Sequence, residues 1–154
     1  MTLPSSGAIS MSQIANEVGL SLPVSINHPW LLLLAGKAGF PVSFSDFYGR
    51  TGRFDANLLG QTFGNGDIFV RLGNTPFFGG ALFGMDAGFP DSGHSQLLFS
   101  SAPNWPGNLL FKNNTTGVGV VLSKSNSTTW LAASNPANLI RTGITDSFTV
   151  VPSN

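Results

Sequence analysis

Beyond residue 53 the sequence consists of short apolar runs separated by clusters of Gly, Asn, Pro and Ser. The runs recur about every ten residues, which is a spacing typical of all-β domains. No long stretch places apolar residues at the 3.6-residue period of an amphipathic helix. We therefore expect a mainly β fold in which residues 54–154 form an antiparallel β-sandwich or jelly roll.

Turn signals divide this region into candidate strands. The pair Asn65-Gly66 is typical of a hairpin turn. The segment NPANLIR, residues 135–141, is expected to form a short helical turn instead of a strand. The candidate strands begin at Asp67, Phe77, Gln96, Asn108, Val118, Thr128 and Ser147.

Residues 1–53 follow a different pattern, in which a small unit occurs three times. Each unit alternates apolar residues with Ser, which predicts a very short strand with one buried face. A Ser or Asn follows as the expected helix N-cap, and a Gly ends the expected helix. The strands begin at Ile9, Val24 and Val42, the caps are Ser12, Asn27 and Ser45, and the stops are Gly19, Gly36 and Gly49.

Each strand-cap-helix unit is too short to own a core. The apolar residues of the three units either close one miniature core or dock on another protein. We therefore interpret residues 1–53 as an attachment segment, joined at the stretch Arg50–Arg53 to a β-domain that folds without it. The expected attachment residues are Ile14, Val18, Trp30, Leu31, Leu34, Phe44, Phe47 and Tyr48.

Charge is scarce along the whole chain. Charged residues make up 9% of the sequence and cancel to a net charge of zero, whereas about 25% is usual in soluble domains. A surface with so few charges favours burial against neighbouring molecules, and hence a homo-oligomer. The alternative is a β-protein with a Ser, Thr, Asn and Gly surface. Neither arrangement attracts nucleic acid.

The sequence offers little for catalysis. There is no Cys, and the densest polar cluster contains Asp86, Asp91 and His94. This cluster lacks both the carboxylate spacing of a calcium loop and a second His, so we expect a structural loop. We expect no catalytic residues, no metal and no cofactor. The longest apolar run, which begins at Trp30, is too short to insert into a membrane.

Aromatic residues allow one further interpretation. Trp105 lies in the segment APNWPG, where flanking prolines predict a loop, so we expect an exposed side chain or an anchor inserted into a partner. Strand aromatics usually belong to the core, but they can also form a platform on which a sugar stacks. The candidates for such a platform are Phe77, Phe78, Phe83, Trp105 and Trp130.

Three motifs of the first third carry a resemblance: LPSSGAISMSQIANEVGL from Leu3, LAGK from Leu34 and SFSDFYG from Ser43. Together they resemble an N-terminal segment of tailed-bacteriophage virion proteins, namely tail fibres, tail-tip proteins and minor structural proteins. The resemblance implies a module that fixes a more variable C-terminal domain to the particle. It implies no catalytic residues, and it does not extend beyond the first third.

The resemblance thus implies a non-enzymatic structural protein of the phage tail, fibre or tail tip. It would assemble in the host bacterial cytoplasm and reside in the virion, with other virion proteins as partners. Two alternatives remain open. One is a capsid decoration or cement protein. The other is a receptor-binding module for a host-surface glycan.

Overall fold

A computed structural model describes residues 2–154. Within that range, nine strands form one antiparallel sheet, preceded by two short α-helices and a 3₁₀ helix. The predicted mainly β fold is confirmed. The helices are α1 (Met11–Glu17), α2 (Pro29–Ala35) and the 3₁₀ helix Phe44–Phe47; the strands are β1 (Phe54–Leu59), β2 (Gln61–Thr62), β3 (Ile68–Phe77), β4 (Gly80–Ala87), β5 (Ser95–Ser101), β6 (Asn108–Asn113), β7 (Gly119–Lys124), β8 (Thr129–Ala132) and β9 (Thr145–Ser153).

The sheet curls until its ends approach one another. Its strand order is β1-β9-β6-β7-β8-β5-β4-β3-β2, and β1 at one end also contacts β3 near the other. One continuous hydrophobic core lies inside. Burial alternates along the strands that line it: in β6, Leu109 and Phe111 are fully buried, whereas the intervening Leu110 is partly exposed.

The structure adds two strands to the predicted ones, β1 and β2. The expected hairpin turn at Asn65-Gly66 does join β2 to β3, and the Gly66 N–H donates to the Phe63 carbonyl at 2.9 Å. The prediction of a helical turn in residues 135–141 is wrong. The chain there forms no helix and makes one hydrogen-bonded turn, in which the Leu139 N–H donates to the Pro136 carbonyl at 3.2 Å.

The three predicted strands of the first third do not form, and the helix caps shift. Met11 already belongs to α1, and its N-cap is Ser10, not Ser12. The Ser10 Oγ accepts from the Gln13 N–H at 3.2 Å, while the Gln13 Oε1 accepts from the Ser10 N–H at 2.7 Å. This reciprocal capping box satisfies two backbone donors that an isolated strand would leave unpaired.

The other two units differ in the same way. The 3₁₀ helix is capped by Ser43, whose N–H donates to the Asp46 carboxylate at 2.8 Å, so Ser45 is not the cap. At α2 the cap is His28 instead of Asn27, and its Nδ1 accepts from the Trp30 N–H at 3.2 Å. All three predicted glycine stops have positive φ, namely 72° at Gly19, 71° at Gly36 and 66° at Gly49.

Replacing the two candidate caps of α1 in turn separates the two assignments. We expect Ser10→Ala to lower the free energy of unfolding by about 1 kcal/mol, because it removes the cap bond. Ser12→Ala is the matched control: among the described residues, the Ser12 side chain forms a hydrogen bond only with the Ser10 Oγ, so we expect a change within about 0.5 kcal/mol. Urea denaturation measures both. A larger loss of unfolding free energy for Ser12→Ala than for Ser10→Ala would support Ser12 as the cap, as the sequence pattern predicts.

Candidate functional site

Most residues of the expected attachment surface are not available to a partner. Five of the eight predicted residues are buried: four of these have 0% exposure, and Leu34 is 2% exposed. They join the core of the β-sheet in one cluster, so their burial comes neither from a miniature core nor from another protein. Those residues are Ile14, Val18, Leu31, Leu34 and Phe47; Trp30 and Tyr48 are partly buried, and only Phe44 is clearly exposed.

Hydrogen bonds hold the stretch that the sequence marks as the junction between the first third and the sheet. Glu17 is 1% exposed, and its carboxylate accepts from the N–H groups of Gly52 at 3.0 Å and Arg53 at 3.2 Å. Burial raises the pKa of Glu17, and these N–H bonds oppose the rise. The Phe78 N–H donates to the Thr51 carbonyl at 2.7 Å. The junction is therefore fixed, although the domain boundary after residue 53 stays a prediction.

Trp105 is not an exposed anchor. It is 2% exposed, because the loop after β5 turns its ring inward, between α2 and the sheet. The ring lies 5.2 Å from that of Trp30 in an edge-to-face arrangement and 5.0 Å from that of Phe78. Its Nε1–H donates to the Asn108 carbonyl at 3.0 Å. Trp105 thus links the first third to the sheet.

Three large apolar side chains of the first third remain exposed: Leu22 by 54%, Phe40 by 59% and Phe44 by 43%. We call them the apolar trio. Only Phe44 belongs to the predicted surface. The sequence does carry a signal for the other two, because LPVS at Leu22 and FPVS at Phe40 repeat one motif with a cis proline in each.

Polar contacts hold the segment that carries Phe40 and Phe44. Lys37 forms an ion pair with Asp46 at 3.2 Å, which brackets both aromatic residues in the sequence. The backbone N–H of Ser43 and the Lys37 side chain lower the pKa of Asp46. The Tyr48 hydroxyl donates to the Gly7 carbonyl at 2.6 Å. Phe40 in the loop and Phe44 in the 3₁₀ helix therefore project from a segment whose two ends are joined by this ion pair.

The polar cluster of the sequence is divided in the structure. The Asp91 Oδ1 contacts the His94 Nδ1 at 2.6 Å in an exposed loop, and this contact lowers the pKa of Asp91. Asp86 lies apart on β4, where its Oδ2 accepts from the Gln96 Nε2 at 2.9 Å. Among residues 2–154, no three acidic or His side chains are grouped to hold a metal, and no pocket is found.

A second exposed surface is built around a cation. The Arg71 guanidinium carbon lies 4.4 Å from the ring centre of Phe69, 4.7 Å from that of Phe83 and 5.4 Å from that of Phe63. We call these four residues the Arg71 cluster. Only Phe83 of the aromatics considered for a sugar platform belongs to it; the other four, Phe77, Phe78, Trp105 and Trp130, are core residues.

Comparisons with protein-family models, with curated proteins and with solved structures find no match for this chain. The helices in residues 2–154 are all too short to cross a bilayer.

Proposed function

We propose that the chain is a non-enzymatic structural component of a tailed-phage virion. The first third attaches it to sister copies or other virion proteins, and the sheet presents the remaining surface outward. The observation that carries the proposal is the exposure of the apolar trio on a segment that is otherwise bound to its own core. The motifs that resemble phage virion proteins lie in that same segment.

The energetics favour a covered surface. Burying one such side chain fully contributes about 1.5–3 kcal/mol, and exposed apolar side chains that form a contiguous patch mark protein–protein contacts. The scarcity of charge also favours a covered surface, because with only 9% charged residues the chain has few groups that keep an exposed apolar segment soluble. A neighbouring protein with an apolar surface would bury these three side chains.

Incorporation into particles tests this proposal. The variant carries Leu22→Ser, Phe40→Ser and Phe44→Ser together, and it is supplied in place of the wild-type gene in the phage that encodes the chain. We expect a folded chain that is depleted from purified particles, because attachment loses its apolar contacts. Quantitative mass spectrometry of the particles measures the copy number.

A matched control changes three side chains of similar exposure in the β-domain: Leu59, Val121 and Ile144, exposed by 49%, 46% and 43%. Their replacement by Ser is expected to leave the copy number unchanged. Normal incorporation of the first variant, or equal loss of both, would refute attachment through the apolar trio.

A further inference from the structure

The turn between β2 and β3 exposes an asparagine that is followed by a glycine. Asn65 and Gly66 are both exposed at the tip of this hairpin, and Asn65 is the one asparagine of the sequence whose next residue is glycine. In such a pair the backbone nitrogen of the glycine can attack the side-chain amide, and no Cβ on the glycine hinders the approach. The hairpin tip therefore contains both groups of an intramolecular reaction.

Hydrogen bonds hold the Asn65 amide in place. The Asp67 N–H donates to the Asn65 Oδ1 at 3.2 Å, and the Asn65 Nδ2 donates to the Asp67 carboxylate at 2.6 Å. A donor on the carbonyl oxygen makes the amide carbon, Cγ, more electrophilic. It also stabilises the negative charge that develops on the oxygen during nucleophilic attack. The turn thus favours attack at the Asn65 Cγ.

One hydrogen bond must open before the attack. The Gly66 N–H donates to the Phe63 carbonyl at 2.9 Å, and this proton has to leave the nitrogen. The surroundings allow the turn to open, because at Gly64 and Gly66 only adjacent residues lie within 4 Å of the position that a Cβ would take. Exposed backbone hydrogen bonds with few packing contacts open locally at a small cost compared with global unfolding. The nitrogen is therefore accessible in the folded chain.

We propose that Asn65 is a modification site, at which the side-chain amide is lost spontaneously and the residue becomes aspartate or isoaspartate. The Gly66 nitrogen forms a bond to the Asn65 Cγ, the bond from Cγ to Nδ2 breaks, and the Gly66 proton leaves with Nδ2 as ammonia. Water, the only co-reactant, then opens the cyclic imide. Attack of water at Cγ gives aspartate. Attack at the backbone carbonyl carbon gives isoaspartate, whose main chain contains one additional carbon atom.

Both products change the hairpin beside the Arg71 cluster. Each adds a carboxylate, so that seven basic residues face eight acidic ones and the net charge changes from 0 to −1. Isoaspartate also lengthens the chain between Phe63 and Asp67, whose N–H and carbonyl are bonded at 2.8 Å. This lengthening displaces Phe63, which stacks on Phe69 with ring centres 4.0 Å apart and lies 5.4 Å from the Arg71 guanidinium carbon. The site is independent of the apolar trio.

Incubation of the full-length folded chain in mildly alkaline buffer, followed by peptide mass spectrometry, tests the proposal. We expect Asn65 to gain one dalton, in two products that chromatography separates as aspartate and isoaspartate. The rate should rise with pH, because the Gly66 nitrogen must lose its proton. Asn126 is the matched control: it is exposed and its Oδ1 accepts from the Thr128 N–H at 2.9 Å, but Ser127 follows it. We expect its mass to stay unchanged over the same time.

A variant and a peptide complete the test. Asn65→Gln keeps an amide on a longer side chain, which would have to close a larger and less favourable ring, so we expect the mass gain to disappear. A synthetic peptide of residues 61–69 is the unfolded reference, which shows that the conditions suffice for the reaction. If this peptide gains mass while Asn65 of the folded chain does not, the turn protects Asn65 and the proposal is overturned. Equal reaction at Asn126 would overturn it as well.

Discussion

Deletion of residues 1–53 is expected to unfold the sheet, not to release an independent β-domain. The apolar side chains of α1, α2 and the 3₁₀ helix belong to the same core as the strands. Their removal would expose Trp105 and Phe78, which are both 2% exposed in the full chain. Loss of several such contacts exceeds the cost of a single core truncation, and total stability is only about 5–15 kcal/mol.

Circular dichroism and thermal denaturation of residues 54–154 measure this outcome. We expect no cooperative unfolding transition near that of the full chain. The full-length triple Ser variant of the apolar trio is the control: it changes exposed residues only, so its stability should stay within about 1 kcal/mol of wild type. A truncated chain with native strand signal and a cooperative transition would show that residues 1–53 are dispensable for folding.

Trp105→Ala is expected to lower the free energy of unfolding by about 3–5 kcal/mol, which is the range for a buried aromatic side chain. The substitution empties the space between Trp30 and Phe78 and removes the bond from the Trp105 Nε1 to the Asn108 carbonyl. It should therefore loosen both the loop and α2. Guanidinium denaturation measures the loss.

Phe83→Ala is the matched control for that substitution. Phe83 is 37% exposed and lies outside the core, so we expect a loss of no more than about 1 kcal/mol. Equal losses at both positions would contradict the buried placement of Trp105. If Trp105→Ala left the free energy of unfolding almost unchanged, Trp105 would instead be the exposed anchor that its proline-flanked loop predicts.

The strands could be predicted where apolar residues run together, as in β3 and β5 to β9. The candidate strand that begins at Phe77 is wrong at its start, because Phe77 ends β3, the chain turns at Phe78-Gly79, and β4 begins at Gly80. β1 has the sequence FDANLL, in which Phe54, Ala56 and Leu58 alternate with other residues; this period-two pattern is a strand signal, but a search for continuous apolar runs does not find it. The structure also gives Asp55 a partner: its carboxylate accepts from the Thr149 hydroxyl at 2.6 Å on the neighbouring β9. Strand pairing of this kind depends on a residue 94 positions away, which no local pattern records.

The helices of the first third could be predicted to exist, but not where they begin. The alternation at Ile9 matches a strand as well as it matches a capping box, because Ser10 and Ser12 are both good caps. The deciding signal is Gln13, three residues after Ser10, and Asp46 holds the same place after Ser43. Reciprocal bonds to these side chains favour the earlier serine.

The candidate attachment surface was misplaced because a short apolar stripe does not reveal which chain covers it. Ile14 and Phe47 occupy equivalent positions after the two capping boxes, and both face the sheet of their own chain. The exposed Leu22 and Phe40 lie in loops instead, where helical and strand periodicity carry no information. Only their repeated Pro-Val-Ser context marks them.

Hydroxyl-radical footprinting of the chain in intact particles and in solution tests the attachment proposal most directly. The account predicts that Leu22, Phe40 and Phe44 are oxidised in the free chain and protected in the particle. Leu59 and Val121, which are similarly exposed in the β-domain, should react equally in both states. Equal oxidation of the apolar trio in the two states, or the absence of the chain from purified particles, would contradict it.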